Sequence, residues 1–168
     1  TSTLRAEPYQ DALAGFTTDS FSDTADAVDA VAASGNPLAS RLLRALQDSR
    51  LMYSAATQKV FIQTEDGKLL DAATGEPAAT PAPADLDNVR LNNRLRNLLE
   101  AAVGSLTLMA PEPERRFDAA QAVFRSRDEA ALPALDKAIA AEKDPRVKPA
   151  LTEAWAAIIL NKADASTE

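Results

Sequence analysis

The chain contains no histidine and no cysteine. Without histidine it lacks the usual general base near neutral pH and the commonest zinc ligand. A Ser-His-Asp triad is therefore impossible within it. Without cysteine there can be no disulfide, thiolate metal site or thiol nucleophile. Catalysis is the least favoured class on these grounds, and no cofactor or metal is expected. Glycine is scarce, at 5 residues, and none group into a phosphate-cradling loop. No apolar run approaches the ~20 residues that cross a bilayer, so no transmembrane segment is expected in this chain. Thr1 to Pro8 is too polar for a signal peptide.

Acidic residues are what the chain has in excess. Asp and Glu number 25 against 18 Lys and Arg, for a net charge of −7. That balance opposes a phosphate backbone, and no nucleic-acid partner is expected. Apolar residues make up 46%, with alanine the commonest of them, which together with few glycines favours packed helices. The 168 residues suit one domain. A domain of that size buries roughly 70% of its unfolded surface without a staple.

Periodicity is weak up to Phe21, where Leu4, Tyr9, Leu13 and Phe16 outline one helical stripe. Ala27, Val28 and Val31 then share a helix face that runs to about Ala33. Ser34-Gly35-Asn36-Pro37 supplies a helix-ending glycine, an N-cap and a first-position proline. Leu38, Leu42, Leu43 and Leu46 follow, so residues 22–50 form a helical hairpin. Residues 51–83 change character. Leu51-Met52-Tyr53, Lys59 to Thr64 and Lys68 to Asp71 read as short strands, with Asp66-Gly67 as a two-residue hairpin turn. A proline-rich loop, Gly75 to Pro83, closes this β insertion.

Residues 84–162 return to helical spacing, and 163–168 form a polar tail. A long helix is expected from Asp85 or Asp87, with Leu91, Leu95, Leu98, Ala102 and Leu106 as its stripe. Pro111 and Pro113 end it and start another, in which Phe117, Ala120 and Phe124 face inward. Arg127-Asp128 turns the chain. Leu132, Leu135 and Ile139 mark the next helix, and Asp144-Pro145 caps the last, which carries Val147, Leu151, Trp155, Ile158 and Ile159. Pro133 and Pro149 then fall beyond a first turn, so those helices either start later or kink. Trp155 sits on an apolar stripe and reads as core. The polar end from Asn161 is expected to fray.

The two ends of the chain resemble each other. Ala30 to Asn36 aligns with Ala122 to Asp128, an offset that sets Leu43 over Leu135. Lys143-Asp144-Pro145 is a third copy of the turn. The fold class is therefore mainly α, with HEAT-like helical-hairpin repeats and a small β-hairpin insertion. An irregular helical bundle is the alternative.

In order, the chain shows Ala33 to Pro37, Leu42 to Leu46, Asp71-Ala72-Ala73-Thr74-Gly75, Val89 to Arg96 and Ala119 to Asp128. This series resembles the N-terminal extracytoplasmic region of the urea ABC transporter permease, within the branched-chain amino-acid permease-like family. The resemblance spans about residues 22 to 160. It implies an accessory, non-catalytic domain on the periplasmic side, tethered to the inner membrane in the parent protein. Its implied partners are the membrane core of its own permease and the urea or amide substrate-binding protein. Two alternatives stay open: a small-amide sensing domain and a free-standing HEAT-like scaffold.

Three charged groups stand out. Arg90, Asn93, Arg94 and Asn97 recur at three- and four-residue spacing and would form a polar ridge opposite the leucine stripe. Such a ridge can grip a carboxylate, an amide or an acidic partner loop. It can equally pair with local acids or cap neighbouring turns. Arg115, Arg116, Arg125 and Arg127 form a second basic group. It reads as a lipid- or partner-facing patch, or as a mixed surface balanced by Glu112, Glu114, Asp118, Asp128 and Glu129. Asp23, Asp26 and Asp29 form an acidic row without calcium-loop geometry.

Overall fold

The computed structural model describes residues 8–166. Among them are seven α-helices, two short 3-10 turns and four strands. The protein is mostly helical, with one small antiparallel sheet. Leu4 lies outside the described residues. The chain divides into two compact units, the first reaching Ala102 and the second starting at Val103.

The first unit opens with α1 (Pro8–Leu13), a 3-10 turn (Ala14–Phe16) and α2 (Phe21–Ala33). Tyr9, Leu13 and Phe16 are buried, as their spacing predicts. Ser20 caps α2 by accepting a hydrogen bond from the Asp23 N–H. The short turn lies close on α2: a Cβ at Gly15 would meet the Asp23 carbonyl oxygen at 2.8 Å. Helix α3 (Ala39–Gln47) follows, with Leu42, Leu43 and Leu46 fully buried.

Strands β1 (Leu51–Ser54), β2 (Lys59–Gln63), β3 (Leu69–Asp71) and β4 (Leu86–Asn88) form a sheet in the order β3-β2-β1-β4. All neighbours are antiparallel. Alternation puts Leu51, Tyr53, Val60 and Ile62 on one face, and all four are buried. Helix α3 packs on β1 and β2, and the 3-10 turn packs on β2. The Tyr9 hydroxyl donates to the Ala72 carbonyl at 2.6 Å, fastening α1 to the segment after β3.

The sheet departs from expectation in two places. The β2–β3 connection is not a two-residue turn. It is a three-residue loop, Glu65 to Gly67, in which Gly67 takes φ 82° and donates to the Thr64 carbonyl. This is the hairpin that uses a left-handed glycine as its bulge. The second departure is β4 itself, which occupies residues expected to be helical. Helix α4 (Asn93–Thr107) starts well after Asp85 and Asp87. The Asn92 side chain caps it by accepting from the Leu95 N–H at 2.8 Å. Of the expected stripe Leu95 and Ala102 are buried, Leu91, Leu98 and Leu106 are only half-buried, and Leu99 joins the buried face.

The second unit contains α5 (Pro113–Ser126), a 3-10 turn (Glu129–Ala131), α6 (Leu132–Ala141) and α7 (Val147–Ala165). Helix α7 packs against both α5 and α6. Leu108, Ala119, Ala120, Leu135, Leu151 and Ile158 lead its core, and Trp155 packs half-buried against it. Phe124 does not face inward: it is 44% exposed, because α5 presents Ala119 and Ala120 to the core. Small residues let helix backbones approach closely, which rotates the larger Phe124 outward. The two prolines differ in how they are accommodated. Pro133 is the second residue of α6, where no intrahelical N–H bond is lost. Pro149 is the third residue of α7, but the Lys148 N–H already donates to the Asp144 carbonyl at 3.1 Å, so the helical turn begins at the Asp144-Pro145 cap and Pro149 leaves one bond of it unmade. Helix α7 also runs past Asn161 to Ala165.

The three turns singled out by the internal repeat share their chemistry. Asn36, Asp128 and Asp144 each accept a hydrogen bond from the backbone N–H two residues on, at 2.8, 2.9 and 2.8 Å. Ser34 and Ser126 each donate to the carbonyl three residues back. Gly35 and Arg127 both take positive φ, at 69° and 52°. The aligned residues therefore end their helices with the same local hydrogen bonds.

Candidate functional site

Residues 89–97 leave the sheet edge and enter α4. Val89 is buried and donates to the Leu51 carbonyl at 3.0 Å, continuing the β4 pairing. Arg90 therefore sits before the helix and not on it, which corrects the four-residue ridge. Its Nε donates to Asp19 at 2.8 Å, with the two side chains 60% and 50% exposed. The guanidinium also lies 5.3 Å from the Phe21 ring centroid. The hydrogen bond and charge of Asp19 make Arg90 more basic than usual. Tyr53 lies nearby: burial first, then the charges of Asp19 and Asp87, push its phenol up, against a lowering by Arg90. Phe16, Ser20, Thr24 and Val89 complete these surroundings, which leave no space that a water molecule could fill. Arg90 is thus committed to its own fold.

Asn93, Arg94 and Asn97 differ from it. They fall on one face of the first turns of α4, opposite Leu95 and Leu99, and all three are exposed. Among the described residues their side chains have no hydrogen-bond or ion-pair partner. Two carboxamides and a planar fork of donors therefore face outward uncommitted, a set that suits carboxylates and amides.

The second basic group splits. Arg116 turns inward, with its side chain 17% exposed, and meets Glu142 in a two-pronged pair at 2.6 and 3.0 Å. Its remaining prong donates to the carbonyls of Ala110 and Pro111, both at 2.8 Å. Arg115 lies 3.6 Å from Glu112 at the surface. Arg125 and Arg127 are exposed and have no side-chain partner among the described residues. A cleft of about 340 Å³ borders the Arg116–Glu142 pair, lined also by Leu108, Met109 and Lys143. It does not include Asn93, Arg94 or Asn97. In the acidic row, Asp23 accepts from the Thr18 hydroxyl at 2.7 Å. No group of three or more acids among the described residues is placed to hold a metal ion. No helix among them is long and apolar enough to cross a membrane.

Sequence reasoning missed Asp19, Phe21 and Glu142. The first is separated from Arg90 by 71 positions and the last from Arg116 by 26, so no local spacing announces either pair. Asp19 does carry a local mark in its positive φ of 54°, but only the fold reveals that. No protein-family model matches the chain, and neither a curated protein nor a solved structure matches it significantly.

Proposed function

We propose that this chain is an accessory, non-catalytic interaction domain of an ABC importer permease for urea or short amides. On this reading it lies on the periplasmic side, tethered to the inner membrane through its parent protein. It engages the permease's membrane core and the substrate-binding protein. The ordered series of motifs from Ala33 to Asp128 supports the family reading. The shared turn chemistry at Asn36, Asp128 and Asp144 supports treating the helical hairpins as HEAT-like repeats, which offer extended surfaces for docking.

One observation carries the docking role: Asn93, Arg94 and Asn97 are exposed on one helix face without partners of their own. Donors held ready on a rigid helix recognise an acidic or amide-bearing loop at little ordering cost. The test is urea uptake by cells whose importer carries Asn93→Ala, Arg94→Ala and Asn97→Ala together. Uptake should fall several-fold while the amount of transporter in the membrane stays constant. Unchanged uptake at equal transporter levels would remove this surface from the mechanism.

A further inference from the structure

Helix α5 keeps a stripe that the second unit does not cover. Phe117, Gln121 and Phe124 share one of its faces at four- and three-residue spacing. Phe117 packs half-buried against the core, whereas Phe124 is 44% exposed. Two hollows open along this stripe. One, of about 420 Å³, is lined by Glu114, Phe117, Asp118, Arg146 and Val147. The other, of about 440 Å³, extends past Gln121 to Phe124, Arg125 and Glu153. Both include Phe117 and Arg146, so they form one groove between α5 and the start of α7.

Charge is sorted along the same helix. Glu114 and Asp118 lie toward its N-terminus, Arg125 and Arg127 at its C-terminus, and all four are exposed. Asp118, Arg125 and Arg127 have no side-chain partner among the described residues, and Glu114 meets Arg146 at 3.3 Å. Sorting of this sign suits the helix dipole, but the dipole does not account for an exposed phenylalanine between the two ends. From the α7 side, Arg146 stands at the acidic end and Glu153 at the basic end. Glu114 and Asp118 outnumber Arg146 at the acidic end, and at the other end Arg125 and Arg127 stand against Glu153 and the Asp128 beside them.

We propose that this face docks on the same face of a second copy of the chain, with α5 antiparallel to α5 across a two-fold axis near Ala120 and Gln121. That axis sets Phe117 against the second copy's Phe124, and Glu114 and Asp118 opposite Arg127 and Arg125. A two-fold contact makes each pairing twice. The hollow beside Phe117 takes the incoming Phe124 ring. The rim charges fix orientation, because a parallel arrangement would place Arg125 beside Arg125 and Asp118 beside Asp118. This inference is independent of the importer reading.

Sedimentation equilibrium of the whole chain, from about 10 μM to about 1 mM, reads the association directly. The chain should show a monomer–dimer equilibrium. Phe124→Asp should weaken it at least ~10-fold, as should Arg125→Glu or Asp118→Arg alone. Arg125→Glu and Asp118→Arg combined should restore it, since the reversed pair is again complementary. These side chains are exposed, and unchanged circular dichroism would confirm that each variant folds. A wild-type chain that stays monomeric across the range overturns the proposal. So does Phe124→Asp dimerising as wild type does, or a double reversal no better than its singles.

Discussion

The two carboxylate oxygens of Glu142 accept four hydrogen bonds, from Arg116 Nε and Nη2 and from the backbone N–H groups of Lys143 and Asp144. Its side chain is only 3% exposed, so it stays charged because those donors replace water. The Arg116 hydrogen bond is the main cause holding its carboxyl below the usual glutamate range, against burial and with help from the backbone donors. A lowered folded-state pKa adds stability that is present at neutral pH and is lost as pH falls through that pKa. Glu142→Gln should therefore lower the melting temperature by several degrees at neutral pH, with a deficit that shrinks as pH falls below the ordinary glutamate range. A deficit that ignores pH would deny the linkage. Tyr9 works in the opposite direction. Burial, with a smaller push from the Asp71 charge, raises its phenol from 10.0 to about 12. Its contribution is complete below the ordinary tyrosine range and is lost as pH rises toward that raised value. Tyr9→Phe should cost about 1 kcal/mol at neutral pH through the lost bond to Ala72, and should lack this alkaline component. Chemical denaturation across pH measures both.

At the scale of elements, close approach and tertiary pairing decide what local signals leave open. Gly15→Ala should destabilise the first unit, because its new methyl would meet the Asp23 carbonyl and the Ala27 Cβ, which lies at 2.9 Å. Thermal unfolding checks this, and an unchanged transition would mean that the 3-10 turn shifts freely. Asp85 ties the β1–β2 turn, accepting from the Ser54 hydroxyl at 2.7 Å and the Ala56 N–H at 2.9 Å. Asp85→Ala should speed amide exchange at Ala56 while leaving the α7 amides unchanged. The helices α2, α3, α6 and α7 were legible because leucine, isoleucine and valine spacing agrees with the Asn or Asp turns beside them, and α5 was legible from its flanking prolines. Strand β4 was not, because Leu86-Asp87-Asn88 has no β-branched residue and gains its structure only by pairing with β1. Asp85 and Asp87 imitate helix caps, whereas the working cap, Asn92, lies further on. Displacing the helix start took Arg90 out of the candidate ridge and left Asn93, Arg94 and Asn97 in it. The outward turn of Phe124 was hidden for a related reason. Its spacing from Phe117 and Ala120 fits a helical stripe, but packing favoured the smaller Ala119 and Ala120.

Over the whole molecule, the two units differ in what they bury. The first covers a sheet with α3 and a 3-10 turn, and the second packs α7 against α5 and α6. Leu151, fully buried in the second unit, tests whether α7 organises that core. Leu151→Ala should cost about 3 kcal/mol in chemical denaturation, and a loss near zero would mean that α7 is peripheral. The proposed docking role depends on neither core directly. It depends on a surface that the fold holds in place and leaves without partners. The most direct test is a calorimetric titration of this chain with the urea- or amide-binding protein that the proposal assigns to it, with and without bound urea. The account predicts saturable binding that changes with the loaded state and weakens in Asn93→Ala with Arg94→Ala. Absence of heat at high micromolar concentrations of both proteins, in either state, would contradict it.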